Sequence, residues 1–175
     1  MLVLQEYFWR EFYRLKVHVI YIELALGRTE KCDRAIKMFA AITSSASIGP
    51  WVIWEDYAFA WGGIIAVSQV LNAVRPYMPY KERLKSYSAL RLNLEELLLT
   101  VESRWIDIAA GECTEAEIRN ALAGLRSARQ KAFGKSLTST VPHDEKLLAE
   151  AEEKAQEYFN NIYSGEASND SHEDA

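Results

Sequence analysis

Residues 38–54, MFAAITSSASIGPWVIW, and residues 57–74, YAFAWGGIIAVSQVLNAV, hold no charged side chain, and only Glu55 and Asp56 stand between them. As helices rising 1.5 Å per residue, each block reaches about 26 Å, close to the hydrocarbon thickness of a bilayer. The flanks extend the pattern. Arg28, Lys31, Arg34 and Lys37 precede the first block, and Arg75, Lys81, Arg83 and Lys85 follow the second. No Lys or Arg lies between the blocks. Basic flanks stay on the cytoplasmic side, so the reading is a hairpin with both termini in the cytoplasm and its turn outside. Trp51, Trp54, Tyr57 and Trp61 gather at the turn, and Tyr77 and Tyr80 stand beyond the other end. Such rings suit headgroup depth, where the ring is in apolar surroundings and its polar atom in water.

The rest of the chain reads as helix. Phe8, Phe12, Leu15, Val19, Ile22 and Leu26 recur at alternating spacings of four and three, a seam within a helix of 2 to about 35 that Gly27 bends or breaks. Leu84, Tyr87, Leu90, Leu94, Leu97, Leu98, Val101, Trp105 and Ile108 form one stripe on a helix of about 80–109, which Gly111 ends. Thr114 and Glu117 are spaced as a capping box opening a helix of about 115–133. Pro142 and Asp144 open a last helix, about 143–162. The expected fold is therefore all-α: a two-helix transmembrane hairpin with long cytoplasmic helices packed as a bundle. Its parts are an N-terminal amphipathic helix (1–37), the hairpin (38–79), a C-terminal helical region (80–163) and a disordered acidic tail (164–175).

Composition narrows the function. The net charge of −5 argues against bulk attraction to nucleic acid. A mean hydropathy of −0.17 averages two apolar blocks with a polar remainder. Cys32 and Cys113 have no metal-ligand spacing, nor do His18, His143 and His172. No basic leader precedes an apolar run at the N-terminus, so no cleavable signal is read there. Gly134-Lys135-Ser136 looks like the end of a phosphate-binding loop, but Arg129 stands where that motif needs a glycine. No catalytic constellation, cofactor site or metal site is read.

Three sets of residues remain as candidates. Ala41, Ser45 and Gly49, and Gly62 and Ala66, are small residues at every fourth position and suit close helix packing within the hairpin or between copies. Thr43, Ser47, Ser68, Gln69 and Asn72 are polar within the blocks. Two readings stay open for them: hydrogen bonds across the hairpin, or a water path in an assembly of several copies. Arg119, Arg126, Arg129, Lys131 and Lys135 give the helix of about 115–133 a basic side. It is a solvated face or one paired with the acidic last helix, or else it contacts anionic lipid or a phosphate-bearing ligand.

The layout resembles the SLATT group of bacterial two-transmembrane proteins of anti-phage conflict systems. The likeness covers residues 10–110: the basic helix with Arg34 and Lys37, a short span, a second span, then Tyr80-Lys81-Glu82-Arg83 and the long helix KSYSALRLNLEELLLTVESRW. It implies a non-enzymatic effector in the bacterial inner membrane that assembles with copies of itself and opens a pore. The trigger would be a protein partner, or a nucleotide ligand, for which the chain has no separate sensing domain. Two other readings stand beside it: a membrane scaffold that recruits a soluble partner, and a soluble helical adaptor or inhibitor.

Overall fold

The structure, a computed structural model, describes residues 2–45, 58–74, 80–136 and 143–163, and these are all-α. The helices are α1 (Leu2–Ser45), α2 (Ala58–Val74), α3 (Tyr80–Ala109), α4 (Glu115–Ser136) and α5 (Glu145–Tyr163). The chain divides into two compact units, one of Met1–Leu26 with Lys85–Ala175 and one of Gly27–Leu84.

The helix ends follow local chemistry. Gly111 takes a φ of 77° just past α3, and the Glu112 N–H reaches back to the Asp107 carbonyl (3.1 Å), as in a glycine-terminated helix. Thr114 and Glu117 form the reciprocal box: the Thr114 N–H donates to the Glu117 carboxylate (2.8 Å), and the Glu117 N–H donates to Thr114 Oγ1 (3.4 Å). Asp144 Oδ1 accepts the N–H groups of Lys146 (3.0 Å) and Leu147 (3.3 Å), and so caps α5. Gly27 does not break α1, which runs unbroken for 44 residues. A mid-helix glycine costs only about 1 kcal/mol against alanine, and good helix formers on both sides outweigh that.

The first unit is a bundle of four helices: α1 up to Leu26, α3 from Lys85, α4 and α5. Its core is the expected seam. Phe8, Phe12, Leu15, Val19 and Ile22 of α1 are buried with Tyr87, Leu90, Leu94, Leu98, Val101 and Ile108 of α3, Ile118 and Leu125 of α4, and Phe159 of α5. Contacts between helix ends fix the directions. Gln5 Nε2 donates to the Ile108 carbonyl (2.9 Å), so the start of α1 meets the end of α3. Glu11 meets Arg129 and His18 meets Phe133, so α1 and α4 run together. Trp9 packs on Tyr163 while the Asp144 N–H donates to the Tyr21 hydroxyl (3.2 Å), so α5 runs against α1. The order is up-down-up-down, the usual arrangement for such bundles.

α5 comes close because its contact residues are small. Ala151 and Ala155 are fully buried against Val17. Beyond them Phe159 enters an aromatic cluster, 4.9 Å from Trp9 and 5.0 Å from Phe12 between ring centroids. Edge-to-face pairs of this kind stabilise by about 0.5–1.5 kcal/mol beyond the area they bury.

Candidate functional site

α2 is the most unusual element of the second unit. Its 17 residues, AFAWGGIIAVSQVLNAV, carry no charge. Phe59 is 96% exposed, Val70 61% and Val67 53%, and Ile64 and Val74 are also exposed. Among the described residues of 27–84 no large apolar side chain is buried, and Ser68 is the one buried residue. These exposed apolar side chains lie along one helix, and exposed apolar patches are commonly where proteins meet lipid or other proteins.

Among the described residues, no helix is long and apolar enough to cross a membrane. α2 is about 26 Å long at 1.5 Å per residue, short of the ~20 residues a span usually needs. The first uncharged block starts inside α1 and is described only to Ser45; Ser47, Gly49 and the rest of 46–57 lie outside the described residues, as does the acidic tail 164–175.

The small and polar candidates fall unevenly. Ser68 Oγ donates to the Ile65 carbonyl (2.8 Å) and is satisfied within its own helix. Gln69, Asn72, Gly62 and Ala66 are exposed, and so is Ala41 on α1. Thr43 and Ser45 belong to the last turns of α1, and their side chains lie outside the described residues.

The basic side of α4 divides in two. Arg126 and Arg129 turn to α1 rather than to the acidic α5. There Glu11 is 5% exposed, and its carboxylate accepts from Arg126 Nε (3.1 Å) and Nη2 (3.0 Å) and from Arg129 Nη1 (2.7 Å). Arg14 Nη1 lies 3.9 Å away. Arg119 is exposed, and its Nε donates to the Glu115 carbonyl (3.3 Å). The sequence carried a signal for Glu11: it stands three residues after Phe8 and four before Leu15, on the seam itself. A carboxylate at such a position is buried on folding and needs cationic partners.

Lys131 and Lys135 face the other way, onto α3. With Asn93, Glu96, Leu97, Thr100, Ala128 and Ala132 they line a cavity of about 310 Å³. Leu97, Thr100 and Ala128 are shared with a second cavity of about 590 Å³, which continues along the same two helices past Val101, Gly124 and Leu125 to Phe8. The two cavities join in a groove between α3 and α4 whose lining is mixed, apolar at its base and basic at the end with Lys131 and Lys135. Sequence reading missed it, because no local pattern states which helices will leave a gap.

Two titratable groups mark the packing near these features. His18 Nδ1–H donates to the Arg14 carbonyl (2.7 Å), and its ring meets Phe133. Burial lowers its pKa from 6.5, and Arg129 and Arg14 add to the shift, while the bond to the carbonyl opposes it. The Tyr158 hydroxyl donates to Glu102 (3.0 Å), and burial and that bond push its pKa up to about 12. Lys16 lies over the Tyr158 ring, 3.3 Å from its centroid, a cation–π contact. Among the described residues no group of His, Cys, Asp and Glu could hold a metal ion. The chain matches no family model, no curated protein and no solved structure.

Two outcomes follow. Glu11→Ala leaves two guanidiniums without their shared partner and should lower stability by about 2 kcal/mol, less than the ~3–5 of a fully buried pair because Arg126 is half exposed. Replacing Glu11 by Leu together with Arg126 and Arg129 by Met should restore stability to the original level or above, as chemical denaturation would reveal. For His18 the folded pKa lies below the unfolded one. The unfolded chain thus binds more protons in between, and stability is full above about pH 7 and falls as pH drops through the window beneath it. Thermal melts from pH 7.5 to 5.5 should show that His18→Gln loses less stability than the natural chain; equal losses would refute the assignment.

Proposed function

We propose that this protein is a non-enzymatic membrane protein that acts as an assembly of several copies. In this reading α2 and the uncharged segment before it enter the bacterial inner membrane as a hairpin, with both termini in the cytoplasm. The bare, uncharged face of α2 is the observation that carries it. Leaving Phe59 in water is unfavourable by roughly 1.5–3 kcal/mol, and half-exposed Val67 and Val70 by about half as much each, and lipid removes that cost. The basic residues on both flanks support the orientation. The short length of α2 favours assembly, because a span shorter than the bilayer core is accommodated by local thinning or by oligomerising.

Gly62, Ala66, Gln69 and Asn72 are all exposed on α2. Small residues allow a neighbouring copy to approach closely, and amides in lipid seek a partner or water. Together with the SLATT-like layout, this supports a pore-forming or membrane-perturbing effector of anti-phage defence, triggered by a protein partner or a ligand such as a nucleotide. A second reading, a membrane scaffold, is favoured by a separate observation. Leu92, Leu99 and Ile106 form an exposed row at seven-residue spacing on α3, suited to a partner helix.

Fractionation tests the shared premise. The protein should sediment with membranes, resist an alkaline wash and be released by detergent; recovery in the supernatant without detergent would overturn both readings and leave the soluble adaptor. For the effector, triggered cells should depolarise, and replacing Gln69 and Asn72 by Leu should abolish that. Depolarisation unchanged in this variant would remove the water path.

A further inference from the structure

We propose that the groove between α3 and α4 binds a single-chain, monoanionic lipid, with its acyl chain along Leu97, Val101 and Leu125 and its head at Lys131 and Lys135. The groove lies wholly within the four-helix unit, so the inference stands whether or not α2 enters a bilayer.

Shape and charge both argue for this occupant. The larger cavity, about 590 Å³, has the size of a small-molecule site, and its lining is mostly apolar, with Thr100, Ser103, Arg104 and Asp107 as its polar members. Arg104 and Asp107 pair with each other (3.4 Å), so that end presents little net charge. The other end differs. Lys131 and Lys135, one helical turn apart, are both exposed there, with Asn93 and Glu96 opposite. Asn93 Nδ2 already donates to Ser136 Oγ (3.1 Å). The two ammonium groups outnumber the one carboxylate by a single charge, which matches a monoanionic phosphodiester head.

Length fits as well. From Ala121 to Lys135 the α4 wall runs about 21 Å at 1.5 Å per residue. One acyl chain fills half of a ~30 Å hydrocarbon core, about 15 Å, and the remainder leaves room for the head. A peptide helix would be wider than a chain, and the polar edges would have to match its flanks.

The probe is a lysophosphatidylglycerol with a palmitoyl chain ending in a diazirine, added to the full-length protein in liposomes. After illumination, adducts should map to 97–104 of α3 and 121–132 of α4. Gly124→Leu fills the groove: a Cβ at Gly124 meets no atom within 4 Å, and leucine is the better helix former, so the fold is kept. It should cut groove labelling by at least about tenfold, as should Lys131→Glu with Lys135→Glu, the loss expected for one charge-assisted hydrogen bond. Unlabelled lysophosphatidylglycerol should compete well and its zwitterionic choline analogue poorly. Groove labelling that Gly124→Leu leaves unchanged would overturn the proposal. So would a groove free of adducts, whether it is empty or covered by a second copy that crosslinks through Ala128→Cys. Adducts on α2 report separately on the membrane reading and survive all of these variants if that reading holds.

Discussion

The four-helix unit depends on one face of α1. Phe8, Phe12, Leu15, Val19 and Ile22 are covered only when α3, α4 and α5 close around them. Burying each such side chain contributes about 1.5–3 kcal/mol toward offsetting the entropy lost when the helices are ordered. Glu11 sits on this same face, and its burial is a constraint of another kind. A carboxylate 5% exposed must keep its partners, so Arg126 and Arg129 fix how α4 is rotated and where it stands along α1. That rotation turns Lys131 and Lys135 toward α3. The basic end of the groove is thus a consequence of how Glu11 is satisfied.

Much of the bundle was legible in the sequence, because it rests on local signals. The stripe of α3 and Gly111 mark its limits, Thr114 and Glu117 mark the start of α4, and Asp144 marks that of α5. From Phe8 to Ile22 the seam of α1 is buried as its spacing implied, while Leu26 is half-buried. Gly27 does not break α1, because one glycine is a small local cost inside a long run of helix formers. The basic side of α4 misled for a geometric reason that was available: at 100° per residue, Lys131 lies about 140° from Arg126, so the two cannot share a face. The partners of Glu11 and the groove were not legible, since both arise from which helices meet.

α2 obeys the opposite logic. Its expected feature, an uncharged apolar run, is present, and in the first unit such a run would be core. In the second unit, Phe59, Val67 and Val70 are left bare. Among the described residues nothing covers these side chains, and exposed apolar patches are commonly where proteins meet lipid or other proteins. On the proposed reading a bilayer supplies that cover and accounts for the basic flanks, and copies of α2 meeting at Gly62 and Ala66 would shorten the exposed perimeter of a helix that is itself short.

Spin labels on α2 distinguish a lipid surrounding from a watery one. With Cys32 and Cys113 replaced, labels at Val67→Cys and Val70→Cys in liposomes would be probed by collision with oxygen, which concentrates in lipid, and with a nickel chelate, which stays in water. With α2 in lipid, oxygen should relax both labels far more than nickel does. Nickel relaxing them as strongly as it relaxes a label at exposed Glu153 would place α2 in water and contradict the bilayer reading.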